Sequence, residues 1–319
     1  MIELTGQNAA AYLGTPCTVD VLGGGVSNTV LLASFDGRRI IIKQSLAKLR
    51  VEQDWFSRRD RIFRETAALR MLQPLLPPGS VPSVLSEDRD NFAFTMTAAP
   101  SSAKTWKALL FEGSIDENVA SRVAESIGTI IASTWRSPDF VSTFADQTVF
   151  DELRLDPYYR WTARRHPDLA PHFDALIEAA SKRRLSLVHG DCSPKNFLVS
   201  NEGVMLIDFE VAHFGDPSFD AAFLLNHLLL KSYRLPEYRE RLRGCAMRFW
   251  QTLCLYIPRE CDWFEAATIQ HLGGLLLARI DGKSPVEYIT DEGLKERIRQ
   301  HARGLLCSAP SRIAGVFAC

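Results

Sequence analysis

No apolar run in these 319 residues approaches the roughly 20 needed to span a bilayer, so no membrane partner is expected. The first residues, MIELTGQNAA, lack both a basic flank and an apolar core, so they do not read as a secretory leader. CxxC pairs are missing. The seven cysteines are scattered singly and are odd in number, a pattern of reduced thiols in a cytoplasmic protein, not of a zinc ribbon. Surplus positive charge is missing too: the net charge of −1 argues against nucleic acid as a partner. Repeats and low-complexity segments are absent. What is there is an ordinary globular composition, 46% hydrophobic and 24% charged. The chain is long enough to bury a large core, expected in two lobes.

The most informative stretch is 187–210, LVHGDCSPKNFLVSNEGVMLIDFE. The apolar run 185–188 leads into His189-Gly190-Asp191, and Asn196 follows five residues after Asp191. Apolar runs at 197–199 and 204–207 flank the turn Ser200-Asn201-Glu202-Gly203, a hairpin signal. The second strand delivers Asp208 and Glu210. A tight hairpin brings its ends together, so Asp191, Asn196 and Asp208 are expected at one rim. Two carboxylates and an amide oxygen there suit a hard cation.

Upstream, 18–22 and 29–34 read as strands around Gly23-Gly24-Gly25-Val26-Ser27-Asn28. Bare glycine backbone can sit on phosphates, although judged locally this is as well a plain β-turn. The strand RIIIKQ (39–44) ends its isoleucine run in Lys43. A buried ammonium there requires a partner, unless the strand edge lets it reach water. Helical spacing over 55–72 (Phe56, Phe63, Ala67, Leu69, Leu72) carries Glu65 within reach of Lys43. The arginines 58, 59, 61, 64 and 70 read as a solvated face.

A proline-rich break at 74–82 ends that helix, and 84–85 and 92–96 complete a small sheet. The small polar stretch TAAPSS (97–102) reads as a linker. It divides an expected N-terminal lobe, 1–97, from a larger, mainly helical lobe, 98–319. In the second lobe 106–111 and 119–134 are helical, with Val123, Ile127, Ile130, Ile131 and Trp135 on one stripe. Residues 150–170 mix aromatic rings with arginines and suit either a substrate pocket or a packed surface. Asp216-Pro217 opens a nearly all-apolar helix, and 278–288 is a polar loop.

The order of these parts carries more than any one of them. Phosphoryl transfer from ATP needs a glycine turn over the phosphates, a lysine to neutralise them and a carboxylate to position the attacking hydroxyl. It also needs an asparagine and an aspartate to hold the metal. Positioning and electrostatics then carry the rate.

HGDCSPKN, followed by LIDFE and FGDPSFDAAFL, resembles the aminoglycoside phosphotransferase and choline kinase family. That resemblance runs from about residue 19 to about residue 288. It implies an α+β, bilobal, protein-kinase-like fold and a kinase that uses ATP and Mg2+ on a small-molecule hydroxyl acceptor. By resemblance Asp191 is catalytic and Asn196 and Asp208 hold magnesium. Gly24, Gly25, Ser27, Asn28, Lys43 and Glu65 serve the nucleotide phosphates. Backbone near Thr97 and Ala99, with Met96 behind it, reads the adenine. Asp220 braces the catalytic loop. His189 is a structural member of that loop, and Ser193 and Lys195 lie within reach of the γ-phosphate. Glu210 either touches magnesium through water or caps the next helix. IIIKQSLAKLRV and DPYYRWTARRHP are also similar to methylthioribose kinase within this family. That subgroup usually has serine in place of Asn196 and a sugar-gripping arginine pair, matched here only by Arg279, so its substrate is not assigned.

A protein kinase would be expected to carry HRD, DFG and APE segments, and a pseudokinase acting as a nucleotide-binding module would have lost one of Lys43, Asp191, Asn196 or Asp208. This chain has HGD and DFE, and all four residues are present. The acceptors considered are a sugar, nucleoside, amino alcohol or antibiotic; the last 37 residues hold six Lys or Arg against four acids, which leans towards a neutral or anionic acceptor over a polycationic aminoglycoside. Spacing carries no signal for oligomeric state.

Overall fold

The computed structural model describes residues 2–23, 25, 27–50 and 55–318. Gly24, expected at the phosphates, lies outside the described residues.

Strands β1 (Thr18–Val21), β2 (Asn28–Phe35), β3 (Arg38–Ser45), β4 (Val84–Asp88) and β5 (Ala93–Thr97) form one antiparallel sheet in the order β1-β2-β3-β5-β4. Period-two alternation sorts its side chains. Leu31, Ala33, Ile42 and Ala93 pack under Leu4 and Ala9 of the amino-terminal segment. Val30, Leu32, Ile41, Lys43 and Met96 share the other face, since Val30 pairs with Lys43 and Leu32 and Met96 pair with Ile41. That face lines a large cavity.

The helix Arg61–Leu72 packs Ile62, Ala68, Leu69 and Leu72 into the main core. It starts later than the spacing over 55–72 suggests. Residues 55–60 are held off the helix by tertiary contacts. The Trp55 indole N–H donates to the Glu152 carbonyl at 3.1 Å, and the Ser57 hydroxyl donates to the Glu152 carboxylate at 2.8 Å. Phe56, counted in the apolar stripe, is 61% exposed. Arg61, counted in a solvated face, is 1% exposed.

After residue 97 the chain is largely helical. Glu117–Thr134 buries Val123, Ile127, Ile130 and Ile131 as its stripe predicts, and Asp116 caps it by accepting from the Asn118 N–H. Ser218–Arg234 is buried along nearly its whole length. The aromatic–arginine segment Asp151–Arg160 is a π-helix with Pro157 inside it, a wide-turned form often found at functional sites. Two short sheets complete the frame. Strands β6 (Lys104–Thr105), β8 (Phe197–Ser200) and β9 (Gly203–Leu206) form one, with β8 and β9 as the expected hairpin. Strands β7 (Ser186–Val188) and β10 (His213–Gly215) form the other.

Between β7 and β8 the loop turns at Gly190, whose φ is +77°. A Cβ there would lie 2.8 Å from Val211 Cγ1 and 2.9 Å from the Val211 carbonyl oxygen. Both the dihedral and the crowding demand glycine. Gly190→Ala is expected to cost about 1–3 kcal/mol of stability, read from the urea midpoint at unchanged m-value.

Candidate active site

Lys43 Nζ lies 2.6 Å from Glu65 Oε2 and 2.5 Å from Asp208 Oδ1. The lysine is 3% exposed, so it does not reach bulk water. Burial pulls its pKa down, but Asp208, Glu65 and Glu210 outweigh burial and hold the ammonium charged well above its ordinary range. Burial likewise acts to raise Asp208, and Lys43 and Lys195 overcome it, keeping that carboxylate ionised far below its usual range. Glu65, deeper and facing the same acids, is pushed up by burial. Asp208 has a φ of +75°, rare for a non-glycine residue and a form of strain that clusters at functional sites.

Asp191 sits on the loop after β7, and its neighbours fix it from three sides. Asp220 accepts the backbone N–H groups of His189 at 2.6 Å and Gly190 at 2.9 Å, the brace expected of it. The His189 ring bridges the Asp191 N–H, 3.1 Å from Nδ1, and the Ile207 carbonyl, 3.0 Å from Nε2. Burial lowers its pKa, which keeps it neutral and suits this bridging role. Asn196 Nδ2 donates to the Asp191 carbonyl at 2.8 Å. On the carboxylate, Lys195 Nζ lies 3.0 Å from Oδ2 and Arg154 Nη2 lies 3.2 Å from Oδ1. Burial would raise the Asp191 pKa, but Lys195 and Arg154 outweigh it and hold the group ionised.

Glu210 does not cap the next helix, which begins at Ser218; its carboxylate is held by Ser27, Asn28 and Arg61. Its Oε1 accepts from the Ser27 hydroxyl at 2.5 Å. Its Oε2 accepts from Asn28 Nδ2 at 2.9 Å and Arg61 Nε at 3.0 Å. Arg61 also donates to the carbonyls of Ser27 and Leu46 at 2.6 and 2.9 Å. Glu210 and Arg61 therefore tie the glycine hairpin to the Asp208 strand end, a tie that takes the Ser27 hydroxyl and the Asn28 Nδ2. Arg61 and Arg154 are the residues that sequence reasoning missed. Arg61 merged with an apparently solvated arginine face, and the π-turn that aims Arg154 leaves no periodic trace.

These groups share one cavity of about 1100 Å³, lined by Gly25, Ser27, Lys43, Met96, Thr97 and Ala99 on the sheet side. Asp191, Ser193, Asn196, Asp208 and Arg279 line it on the helical side. At the sheet's end the Thr97 N–H donates to the Ser83 carbonyl at 3.0 Å, and the Ala99 carbonyl accepts from Arg39 at 3.1 Å. The Ser193 hydroxyl is buried and has no partner among the described residues. Among the described residues no protein donor reaches Asn196 Oδ1 or Asp208 Oδ2. Two free oxygens on adjacent side chains fit a hard divalent cation such as Mg2+, which keeps several waters and takes few protein ligands.

Residues 18–249 match the model of the phosphotransferase enzyme family (APH). Methylthioribose kinase of Exiguobacterium sibiricum is 25% identical over 272 residues, covering 74% of this chain and 67% of that protein. Methylthioribose kinase 2 of Oryza sativa subsp. japonica is 25% identical over 241 residues, 67% of this chain, and the chain spans only 56% of the rice protein. A solved structure of the amicoumacin kinase hAmiN in complex with AMP-PNP, Ca2+ and Ami has a TM-score of 0.61 at 14% identity, covering 92% of this chain and 90% of that one, a likeness of fold.

Removing Arg61 would strand the buried Glu210 carboxylate. Arg61→Met is expected to destabilise the protein by about 3–5 kcal/mol in denaturant titration, and Arg61→Met with Glu210→Gln by clearly less than the sum of the two.

Proposed function

The chain belongs to the phosphotransferase enzyme family, and within that small-molecule phosphotransferase class we propose that it transfers the γ-phosphoryl group of ATP, with magnesium, to a hydroxyl of a small molecule. Lys43, Asp208, Asn196 and Asp191 on the walls of one cavity carry this reading. All four are present, which disfavours a pseudokinase. The AMP-PNP and Ca2+ of the hAmiN complex support a nucleotide and a divalent cation in such a cleft.

In this reading residues 1–97 are the nucleotide lobe and 98–319 the catalytic and acceptor lobe. Nucleotide contacts come from Gly25 and Lys43, from Glu65 behind the lysine, and from backbone near Thr97 and Ala99. Asn196 and Asp208 would hold the magnesium, which would supply charge neutralisation at the phosphates. The acceptor oxygen bonds to the γ-phosphorus as the bond to the β–γ bridging oxygen breaks. ADP leaves with that electron pair, and the hydroxyl proton passes to Asp191. Two flanking cations make Asp191 a weak base, which suffices for a loose transition state in which the proton leaves late. The buried Ser193 hydroxyl and Lys195 supply donors beside the transferred group.

The 25% identity with methylthioribose kinase supports a sugar-like hydroxyl compound among the candidate acceptors, which otherwise include nucleosides, amino alcohols and antibiotics. A screen of acceptors by ADP release tests the reading. Magnesium-ATP should raise the Tm. Asp191→Asn should keep that shift and lose about 10²–10⁴-fold in kcat with an acceptor the screen finds. Undiminished turnover by Asp191→Asn would exclude the mechanism.

A further inference from the structure

The helical end of the cavity holds more positive charge than the catalytic groups use. Phe223, His227 and Lys231 follow one another at four-residue steps on the helix Ser218–Arg234, and all three line the cavity. Lys231 is 1% exposed. Among the described residues its only hydrogen bond is a 3.4 Å contact to the His227 carbonyl one turn back. It lies over the rings of Phe111 and Tyr288, each 5.4 Å from the ammonium. Those ring faces offset part of the desolvation cost but do not satisfy its three N–H donors. Burial drags its pKa down to about 7, with Lys107 and Arg279 adding to the effect.

Arg279 stands in the same wall. Its Nη1 donates to the Tyr158 hydroxyl and to Ser284 Oγ, both at 3.0 Å. Among the described residues its buried Nε and the buried Tyr288 hydroxyl have no partner. The nearby acid, Glu287, is paired with Lys107. Among the described residues no carboxylate forms a salt bridge with Lys231 or Arg279. A buried ammonium without a carboxylate costs stability, and a leucine or methionine would pack the same space at lower cost. Lysine and arginine carry donors and no acceptors, so whatever completes this wall brings the acceptors and the negative charge. Polycationic acceptors are repelled from it.

Tyr158 connects the wall to the catalytic carboxylate. Arg154, which touches Asp191, lies 5.7 Å from the Tyr158 ring centroid, and Arg279 lies 5.6 Å from it. Resting on the kinase reading above, we propose that Lys231, Arg279 and the Tyr288 hydroxyl form an anion subsite. The acceptor is then a compact hydroxy compound bearing a carboxylate or phosphate group, the anion held there while its hydroxyl meets Asp191.

Matched acceptors that differ only in the anion test this: glycerate against glycerol, gluconate against glucose, and ribose 5-phosphate against ribose, followed by ADP release. The anionic member is expected to exceed its neutral counterpart at least tenfold in kcat/KM, and the carboxylate and phosphate pairs tell the two sources apart. Lys231→Met is expected to raise KM for the anionic acceptor at least tenfold and to raise the Tm of the unliganded protein, with Lys231→Gln as a second variant. Equal use of neutral acceptors would overturn the subsite and leave the kinase reading standing. A fall in unliganded Tm in both variants would overturn it too, marking Lys231 as structural. If no pair turns over, sulfate is titrated into the magnesium–AMP-PNP complex: a Tm rise that Lys231→Met abolishes supports the subsite, and an equal rise in both proteins overturns it. No Tm shift with magnesium–AMP-PNP itself would overturn the kinase reading, and with it the acceptor role of this wall.

Discussion

A single buried ammonium ties the five-stranded sheet to the hairpin that ends at Asp208. Lys43 comes from the central strand of the five-stranded sheet, Glu65 from the helix beside it, and Asp208 from the end of a hairpin 165 residues away in sequence. None of the three is stable in isolation at that depth. An unpaired charge in a dry interior costs several kcal/mol, so each group makes the burial of the others tolerable. Around this triad the charges are nearly balanced, since Lys195 and Arg154 flank Asp191 and burial pushes Glu65 towards its neutral form.

The second tie is Glu210, two residues beyond Asp208. With Arg61, Ser27 and Asn28 it draws the glycine hairpin to the same strand end. The two ties have different chemistry. Lys43 and Asp208 meet in the cavity wall, open to whatever enters it. The Arg61–Glu210 pair has its hydrogen bonds filled by protein groups and reads as frame. Strain at Asp208 and the glycine-only turn at Gly190 place the rim carboxylates where regular strand geometry would not.

Much of this was legible in the sequence because it depends on local pattern. Alternating apolar residues mark the sheet, the turn at 200–203 marks the hairpin, and HGDCSPKN with LIDFE sets Asp191, Asn196 and Asp208 at one rim. Lys43 at the end of an isoleucine run implied a buried partner, and Glu65 is that partner. The losses have physical causes. Arg61 lies among other arginines, and only tertiary packing separates the buried one from its neighbours. Trp55 and Ser57 are pinned by Glu152, so their helical spacing did not become helix. The π-helix that aims Arg154 and Tyr158 has no sequence period to recognise. Glu210 was legible as a site residue but not as a clamp, since its partners come from positions 27, 28 and 61. The cationic wall around Lys231 draws on four segments between residues 107 and 288, a grouping that no linear charge count reveals.

The most direct test of a phosphoryl-transfer cleft built on Lys43 is the affinity for magnesium–AMP-PNP, measured by calorimetric titration. The comparison is between the native protein and the double variant Lys43→Met/Glu65→Gln, in which the ammonium and one of its two acids are neutralised together so that the fold is not left with an extra buried charge. If Lys43 faces the nucleotide phosphates, the double variant binds at least tenfold more weakly while its circular dichroism stays native. Equal affinity in the two proteins would contradict the central claim, because the ammonium would then be a structural rivet and the nucleotide site would have to lie elsewhere.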